Sequence, residues 1–294
     1  MFKKIILIAG PTASGKTRIA IEIAKKIKGE VINADSMQVY KEFSILSSRP
    51  SKVDLKKVTH HLYGFQPSKK HFSTGAWLKL VKKKINQCLK NKKIPILVGG
   101  TGLYFEAITK GISKIPNIDF KSRDKIRELQ KKLGQKNFYE KLSELDPLVK
   151  NNIEVFDTQR SIRAYEVKKF TKKSIFEWYK LTESEFKKFK IFKIFINTPR
   201  EKLLKNISNR AEQMFKNDCI KEVKYFLTLN VDPSLSVNKI IGVKEIRDYL
   251  SGVLNLTQAK ELINIKTRQY AKRQVTWARG HMSDWNKQYS NSFS

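Results

Sequence analysis

The first 27 residues read as a strand, a glycine-bounded loop and a helix, and this order restricts the fold more than any other feature of the sequence. An apolar run, Ile5 to Ala9, leads into GPTASGKT at 10–17, and isoleucines and alanines then recur at helical spacing up to Ile27. The loop matches the GxxxxGK[S/T] pattern, in which backbone N–H groups surround phosphate oxygens. The sequence therefore predicts a phosphate-binding loop at the start of an α/β sheet.

The loop residues have separate expected functions. Lys16 brings a positive charge to the phosphate, Thr17 is the candidate magnesium ligand, and the helix N-terminus adds a favourable field for anions. The candidate phosphate-binding residues are Gly10, Pro11, Thr12, Ala13, Ser14, Gly15, Lys16 and Thr17. Kinases, ATPases, GTPases and some transferases that hold a diphosphate all use such a loop, so the loop alone leaves the substrate open.

Strand-like and helix-like segments alternate through the N-terminal part of the chain. Short apolar runs at 30–34 and 96–98 end at Asp35 and at the glycine-rich segment 99–102, with an amphipathic helix predicted between the two runs. Such alternation is typical of an open, mainly parallel sheet, whose ligands lie at the carboxyl ends of the strands. We expect the phosphate loop, Asp35 and Thr101 to meet at that edge.

The character of the sequence changes near residue 116, where basic helical segments replace the alternation. We predict an α/β core of the P-loop type, formed by residues 1–115 and 190–294, with an inserted all-helical domain at 116–189. The C-terminal region of the core is expected to be mainly helical. The polar residues after Trp285 are expected to be frayed.

The chain is strongly basic, with 60 Lys and Arg against 27 Asp and Glu and a formal net charge of +33. This excess favours polyanionic partners, but the lysines are spread along the whole chain, so composition leaves nucleic-acid binding and a solvated surface both open. Cys88 and Cys219 lie far apart, and no transmembrane or secretory segment is evident. These features favour a reducing, cytoplasmic setting.

Three further positions invite a chemical interpretation. Asp35 could be a magnesium ligand, a general base or a cap of the following turn, and spacing does not choose among these roles. Arg210 could reach a phosphate or pair with a nearby glutamate. His60 and His61 are not expected to bind a metal, because adjacent residues of an extended segment point in opposite directions and no cysteine or carboxylate cluster lies nearby in the sequence.

Taken together, six segments resemble the tRNA dimethylallyltransferase family, also called isopentenyl-diphosphate:tRNA isopentenyltransferases. They are GPTASGKT at 10–17, NADSMQVYKEF at 33–43, HHL at 60–62, PILVGGTGLYF at 95–105, DTQRSIRAYEV at 157–167 and TRQYAKRQVTWARG at 267–280. They occur in the family's order and span nearly the whole chain. The segments at 47–50 (SSRP) and 242–245 (GVKE) depart from the family pattern, and the first departure puts the local turn in doubt.

The resemblance implies a reaction and its partners. The family transfers a dimethylallyl group from dimethylallyl diphosphate to the exocyclic amine of the adenosine just 3′ of the anticodon in tRNA. It implies a P-loop core that binds the diphosphate with Mg²⁺, and an inserted helical domain that grips the anticodon stem-loop. A monomer is the expected state.

The resemblance also assigns residues. Asp35 takes the role of general base, with Lys16 and Thr101 as the other catalytic positions, and Arg210 resembles a family arginine that meets the diphosphate. The residues that resemble family tRNA contacts are Asp35, Ser36, Met37, Gln38, Thr101, Arg123, Gln159, Arg160, Ser161, Ile162 and Arg163.

Two alternatives remain open at the level of sequence. A nucleoside or nucleotide kinase would turn over ATP and bind tRNA weakly, but no arginine-rich lid motif is present, and GGTG follows the strand at 96–98 where an NTPase often places an aspartate. An RNA-binding protein with a vestigial loop would bind tRNA whether or not Asp35 is intact.

Overall fold

The computed structural model describes residues 3–289, and within this range the core is built on a six-stranded sheet. The strands are β1 (Lys4–Ala9), β2 (Gly29–Asn33), β3 (His60–His61), β4 (Ile94–Gly99), β5 (Lys190–Asn197) and β6 (Asn286–Tyr289). Their order across the sheet is β3-β2-β4-β1-β5-β6, and every pair is parallel. All strands therefore end at one edge of the sheet, and the predicted α/β fold is confirmed.

Helices in the first third of the chain pack against this sheet. They are α1 (Lys16–Ile27), α3 (Thr74–Lys90) and α4 (Gly102–Thr109), whereas the short α2 (Lys52–Lys57) contacts α1 and buries none of its residues. Ile8 of β1 and Ile96 of β4 pack with Ile19 and Ala20 of α1 in one buried cluster. Each fully buried isoleucine contributes about 1.5–3 kcal/mol, so the helical spacing of apolar residues after the loop fixes α1 against the sheet.

Residues 110–187 form a compact unit of their own, separate from the unit formed by 3–109 and 188–289. The smaller unit contains α5 (Phe120–Leu145), α6 (Thr158–Thr171) and α7 (Ile175–Lys180). Its core includes Phe138 and Tyr165, whose ring centroids lie 5.1 Å apart. Gly134 interrupts α5 with φ 72°, a left-handed conformation that glycine adopts without strain. The unit begins and ends slightly earlier than the predicted insertion at 116–189.

The chain after β5 is mainly helical, as predicted. The helices are α8 (Arg200–Lys216), α9 (Cys219–Thr228), α10 (Val243–Leu250) and α11 (Leu256–His281). Phe43, from the segment after β2, packs on Phe226 of α9 with ring centroids 4.8 Å apart. The Glu222 carboxylate accepts hydrogen bonds from the backbone N–H groups of residues 44–46. The segment after Asp35 is therefore held by the C-terminal helices.

The end of the chain differs from the prediction of a frayed tail. Asn286–Tyr289 forms β6 and pairs with β5, from Ile194 opposite Asn286 to Asn197 opposite Tyr289. An edge strand is held by backbone hydrogen bonds and needs no apolar alternation, so its polar sequence gives no strand signal. Residues 290–294, the rest of the predicted tail, lie outside the described residues.

Two observations bear on the predicted setting of the chain. Cys88 and Cys219 are both buried and free. Within residues 3–289, no helix combines the length and the apolar character that crossing a bilayer requires.

Candidate active site

The phosphate-binding loop joins β1 to α1 and is braced by two C-terminal helices. Gly15 adopts φ 82° and α1 begins at the next residue, so the glycine supplies the left-handed turn that the loop needs. The Asn206 side-chain amide of α8 donates to the Ala13 carbonyl at 3.0 Å, and the Thr12 N–H donates to Gln274 Oε1 of α11 at 2.8 Å. The conformation of the loop is thus fixed both by its own turn at Gly15 and by hydrogen bonds to side chains of α8 and α11.

Two cations accompany the loop. The Lys16 ammonium group donates to the Pro11 carbonyl at 3.2 Å, and burial lowers its pKa to about 8, an effect that Asp35 opposes and Arg210 reinforces. Burial likewise lowers the pKa of Arg210, and Asp35 opposes that shift. Lys16, Arg210 and Asp35 therefore share one electrostatic environment. An anion bound beside the two cations would relieve their desolvation.

Asp35 lies directly beyond β2, and its backbone and side chain are both constrained. Its N–H donates to Asn33 Oδ1 at 2.9 Å, while the Asn33 amide donates to the Asp35 carbonyl at 2.9 Å and to the Leu62 carbonyl at 3.0 Å. Asp35 Oδ1 accepts the Met37 N–H at 2.9 Å, so the carboxylate does cap its own turn. In the described part of the chain the second oxygen, Oδ2, accepts no hydrogen bond and stays available for chemistry.

Three tyrosines surround this carboxylate. The pKa values of Tyr63, Tyr104 and Tyr270 are all raised, first by burial and then by the negative charge of Asp35. Their hydroxyl groups therefore stay protonated at neutral pH. The sequence pattern did not indicate them, because each comes from a different segment of the chain.

Thr101 is tied to the Asp35 loop, as the sheet-edge argument predicts. The Ser36 N–H donates to Thr101 Oγ1 at 2.9 Å, and the Thr101 N–H donates to the Ala34 carbonyl at 3.3 Å. A Cβ placed on Gly99 would lie 1.9 Å from the Ala34 carbonyl oxygen, so only glycine permits this approach. The loops after β2 and β4 thus form one rigid wall.

A cavity of about 310 Å³ opens at this edge. Its lining includes Gly10, Ser36 and Thr101 and is mainly apolar overall, with Phe105 and Phe195 among the lining residues. A cavity of this composition suits a small apolar group attached to a charged head.

The cavity also shows residues that sequence reasoning missed. Tyr270, Gln274 and Trp277 of α11 line it at helical spacing. Gln274 accepts from the Thr12 N–H and donates to the Gly100 carbonyl at 2.9 Å, so it links the phosphate loop to the loop after β4. The i, i+4, i+7 spacing of these three residues within TRQYAKRQVTWARG was the available signal.

Met37 and Gln38 follow Asp35 but have different surroundings. Met37 lines the cavity. The Gln38 amide donates to the carbonyls of Ser47 and Ser48 at 3.0 and 2.9 Å, and Ser48 adopts φ 52°. Gln38 therefore holds the segment at 47–50 that departs from the family pattern.

The remaining candidate residues lie in the helical unit. Gln159 and Arg160 are exposed at the start of α6, whereas Ser161 is fully buried and its hydroxyl donates to the Asp157 carbonyl at 2.8 Å. Arg163 and Arg123 both approach the Glu166 carboxylate, at 3.0 and 3.8 Å. Ile162 packs against the core of this unit. Ser161 and Ile162 thus contribute to packing, while the arginines and Gln159 offer polar groups.

Comparison with known proteins matches residues 38–281 to the family model described as IPP transferase. The chain is 55% identical over 284 residues to the tRNA dimethylallyltransferase of Pelagibacter ubique, covering 97% of this chain and 91% of that protein. It is 42% identical over 291 residues to the tRNA dimethylallyltransferase of Rickettsia felis, covering 98% and 94% of the two chains.

Solved structures agree with this result. A tRNA isopentenylpyrophosphate transferase from Bacillus halodurans matches with a TM-score of 0.71 at 30% identity, covering 98% of this chain and 90% of that chain. A eukaryotic dimethylallyltransferase acting on tRNA matches with a TM-score of 0.84 at 26% identity, covering 98% and 74%. Since the family model spans most of the chain and the relatives align over nearly all of it, the chain belongs to the IPP transferase family.

Proposed function

We propose that this enzyme transfers the dimethylallyl group of dimethylallyl diphosphate to N6 of the adenosine 3′-adjacent to the anticodon in tRNA, releasing diphosphate. The observation that carries the proposal is that the interacting charges of Lys16, Arg210 and Asp35 lie at the sheet edge where a mainly apolar cavity opens. This cavity is lined by Gly10 of the phosphate loop and by Ser36, the neighbour of Asp35. A mainly apolar cavity beside the phosphate loop suits a prenyl chain attached to a diphosphate. Family membership and the names of the relatives support the same reaction.

The diphosphate would bind at the phosphate loop. Backbone N–H groups at the start of α1, Lys16 and Arg210 would meet the negative charge that grows on the leaving group as its C–O bond breaks. Because burial already weakens the hydration of both cations, each would gain more from an anion here than at the surface. The buried cations would therefore stabilise the growing negative charge of the transition state more strongly than water stabilises it in solution.

Asp35 would act on the nucleophile. An adenine amine is a weak nucleophile because its lone pair is delocalised into the ring, and it becomes acidic as the new C–N bond forms. The unbonded Asp35 Oδ2 would accept that proton, while Oδ1 keeps the turn fixed through the Met37 N–H. Thr101, which accepts the Ser36 N–H, would position the loop that carries the base.

The oxygen donors at this edge fit a magnesium ion. Thr17 offers a hydroxyl in the first turn of α1 and Asp35 a carboxylate, and Mg²⁺ prefers such ligands together with diphosphate oxygens and water. When bound, the ion would supply further positive charge to the leaving group. We propose Thr17 as its protein ligand.

The tRNA would be recognised largely through its phosphates. The helical unit presents Arg160 with 73% of its side chain exposed, together with Gln159 and Arg163. The net charge of +33 favours association with a polyanion. Flipping the target adenine from its stack costs a few kcal/mol, which phosphate contacts would offset. A monomer in the cytoplasm stays a prediction.

The test is a transfer assay with labelled dimethylallyl diphosphate, Mg²⁺ and a tRNA whose anticodon loop carries adjacent adenosines. We expect label in the tRNA with the native enzyme, and none with Asp35→Ala or Asp35→Asn, although both retain tRNA binding. The Asn variant is the sharper probe, because its amide oxygen can still accept the Met37 N–H and preserve the turn.

Asp284→Ala is a suitable control, since Asp284 forms a surface ion pair with Lys193 at 2.5 Å. Undiminished transfer by Asp35→Asn would remove Asp35 from the mechanism. Thermal protection by ATP, together with no protection by dimethylallyl diphosphate, would favour a kinase. Binding of tRNA without any transfer by the native protein would favour an RNA-binding function.

A further inference from the structure

A buried cluster of three potential metal ligands lies at the β3 edge of the sheet, at the opposite end of β2 from Asp35. Glu30 is on β2, His61 on β3 and Cys88 near the end of α3. His61 Nε2 lies 2.7 Å from Glu30 Oε2, and the Cys88 thiol donates to the same oxygen at 3.4 Å. One nitrogen, one oxygen and one sulfur therefore lie within 4.8 Å of one another.

The fold removes one of the two premises of the sequence argument against a metal at the paired histidines. The two rings do point in opposite directions, since His60 Nδ1 contacts the Val58 carbonyl at 2.8 Å while His61 turns to Glu30. A cysteine and a carboxylate do lie beside His61, however. They come from positions 27 and 31 residues away along the chain, so no local motif signals them.

All three ligands sit on regular structure, which limits the cost of ordering a metal site. His61 of β3 pairs with Ile32 of β2, and Glu30 lies two residues before Ile32, on the same face of β2. Cys88 is fully buried on a 17-residue helix. The side chains of His61 and Glu30 are only 10% and 12% exposed. Such a site needs side-chain adjustments but no rearrangement of the backbone.

The charge balance of the cluster also favours a cation. Among the described residues, no lysine or arginine nitrogen lies within ion-pair distance of the Glu30 carboxylate, whose one ion-pair partner is His61. A buried carboxylate is costly unless it is compensated. The Cys88 thiol donates a hydrogen bond to Glu30 Oε2, so the metal-free cluster holds a protonated thiol. A divalent ion with one thiolate, one carboxylate and a neutral imidazole would leave no net charge.

We propose that Glu30, His61 and Cys88 bind one divalent ion of the zinc class and thereby fasten β3 and α3 to β2. Nitrogen, sulfur and carboxylate oxygen are the donors that Zn²⁺ takes, whereas the thiolate is unsuited to Mg²⁺. Metal–ligand distances of about 2.0–2.3 Å place neighbouring ligand atoms about 3.5 Å apart, so His61 and Glu30 would separate by about 1 Å. A water or the second Glu30 oxygen completes the coordination. The Cys88 S–H proton passes to solvent as the metal–sulfur bond forms.

The test uses full-length protein treated with a chelator, dialysed and titrated with Co²⁺ and then with Zn²⁺. We expect one ion per chain, a thiolate-to-cobalt charge-transfer band that Zn²⁺ bleaches, and a melting temperature that rises with Zn²⁺. Cys88→Ser, which is nearly isosteric, should lose the band and weaken zinc binding by at least about 10-fold. Cys219→Ser is the matched control and should keep the band, because Cys219 is also buried and free but belongs to no group of potential metal ligands among residues 3–289.

X-ray absorption on the zinc-loaded native protein provides a readout that does not depend on any variant folding. We expect one sulfur ligand at about 2.3 Å, with nitrogen and oxygen ligands completing the shell. A shell without sulfur would overturn the proposal. Equal zinc binding by the native protein and by Cys88→Ser would also overturn it, as would the absence of stoichiometric binding. In those cases the cluster is a hydrogen-bonded group that satisfies the Glu30 carboxylate.

Discussion

The cations of the sheet edge and those of the helical unit are held in opposite ways. Among the described residues, Lys16 and Arg210 form no ion pair within 4.0 Å, although burial lowers the pKa of both. In the helical unit, Arg160 lies 3.3 Å from Asp157, and Arg163 lies 3.0 Å from Glu166. The two desolvated cations at the edge thus feel the Asp35 charge without a direct ion pair among the described residues, whereas the arginines of α6 pair with acidic residues of their own helix or its N-cap. We expect the first group to act strongly and individually, and the second group weakly and collectively.

The comparison predicts its largest effect at Lys16. We expect Lys16→Met to lower kcat/KM for prenyl transfer by at least about 100-fold, because a charge at the leaving group is lost in a poorly solvated site. Lys25→Met, at an exposed position of the same helix, should change it by less than about 2-fold. Steady-state kinetics with both variants provide the measurement. Similar losses in the two variants would mean that net charge, not position, matters.

A pH dependence follows from the same lysine. Its pKa in the ligand-free protein is about 8, below the ordinary 10.5, so Lys16 loses its proton as the pH rises through 8. Because bound diphosphate needs the charged form, affinity for inorganic diphosphate should fall above pH 8, by up to about 10-fold per pH unit. Calorimetry across this range, with Lys16→Met as the reference, measures the slope. An identical slope in the variant would assign the proton to another group.

Folding stability should respond to Lys16 with the opposite sign. Between pH 8 and 10.5 the unfolded chain holds more protons on this lysine than the folded chain does. The free energy of unfolding should therefore gain a contribution that rises with pH in this window, and Lys16→Met should lack it. Denaturant titrations of both proteins at several pH values isolate this contribution. A difference between the two proteins that does not vary with pH would contradict the expectation.

A smaller effect is expected at Gln274, which supports the cation site without carrying charge. Gln274→Leu removes the hydrogen bonds to the Thr12 N–H and the Gly100 carbonyl. We expect KM for the prenyl donor to rise about 10-fold while tRNA affinity is unchanged, since each lost bond is worth about 0.5–1.5 kcal/mol. Gln269→Leu, exposed on the same helix, is the control. An effect on tRNA affinity alone would show that Gln274 does not act through the loop.

The smallest effect is expected in the helical unit. Arg160→Ala should weaken tRNA binding by about 3-fold and lower the slope of log K against log salt by about 1, because one phosphate contact is lost. Arg127→Ala is a matched control, since Arg127 forms the same type of i, i+3 ion pair, with Asp124 at 2.8 Å, outside the motif at 157–167. Salt titrations of binding distinguish the two. Equal slopes of log K against log salt in both variants would indicate that Arg160 acts only through the general positive field of the protein and not through a specific phosphate contact.

The parts of the fold that the sequence predicted are those with a local signal. The loop at 10–17 and the strands after it follow from spacing within about 15 residues, and the change of character near residue 116 marks the inserted unit. The strand β6 was missed because its pairing partner, not its composition, makes it a strand.

In the candidate site, too, the contacts that follow from a local sequence signal were predicted, and those that depend on tertiary packing were missed. The expected meeting of Asp35 and Thr101 follows from the shared carboxyl edge of parallel strands, and the hydrogen bond from the Ser36 N–H to Thr101 links their loops across 65 residues. The bond between Thr12 and Gln274 spans 262 residues and depends on how α11 packs, which no local pattern encodes. The cluster around Glu30 was missed for the same reason.

The position of β1 in the sheet has a consequence for synthesis on the ribosome. This strand is flanked by β4 on one side and by β5 on the other, and β5 begins only at Lys190. At about 5–20 residues per second, the nascent chain exposes one edge of its first strand for on the order of 10 s or more, while the whole helical unit is being translated. The helical unit has its own apolar core, and all of it is translated before β5 is available to pair with β1.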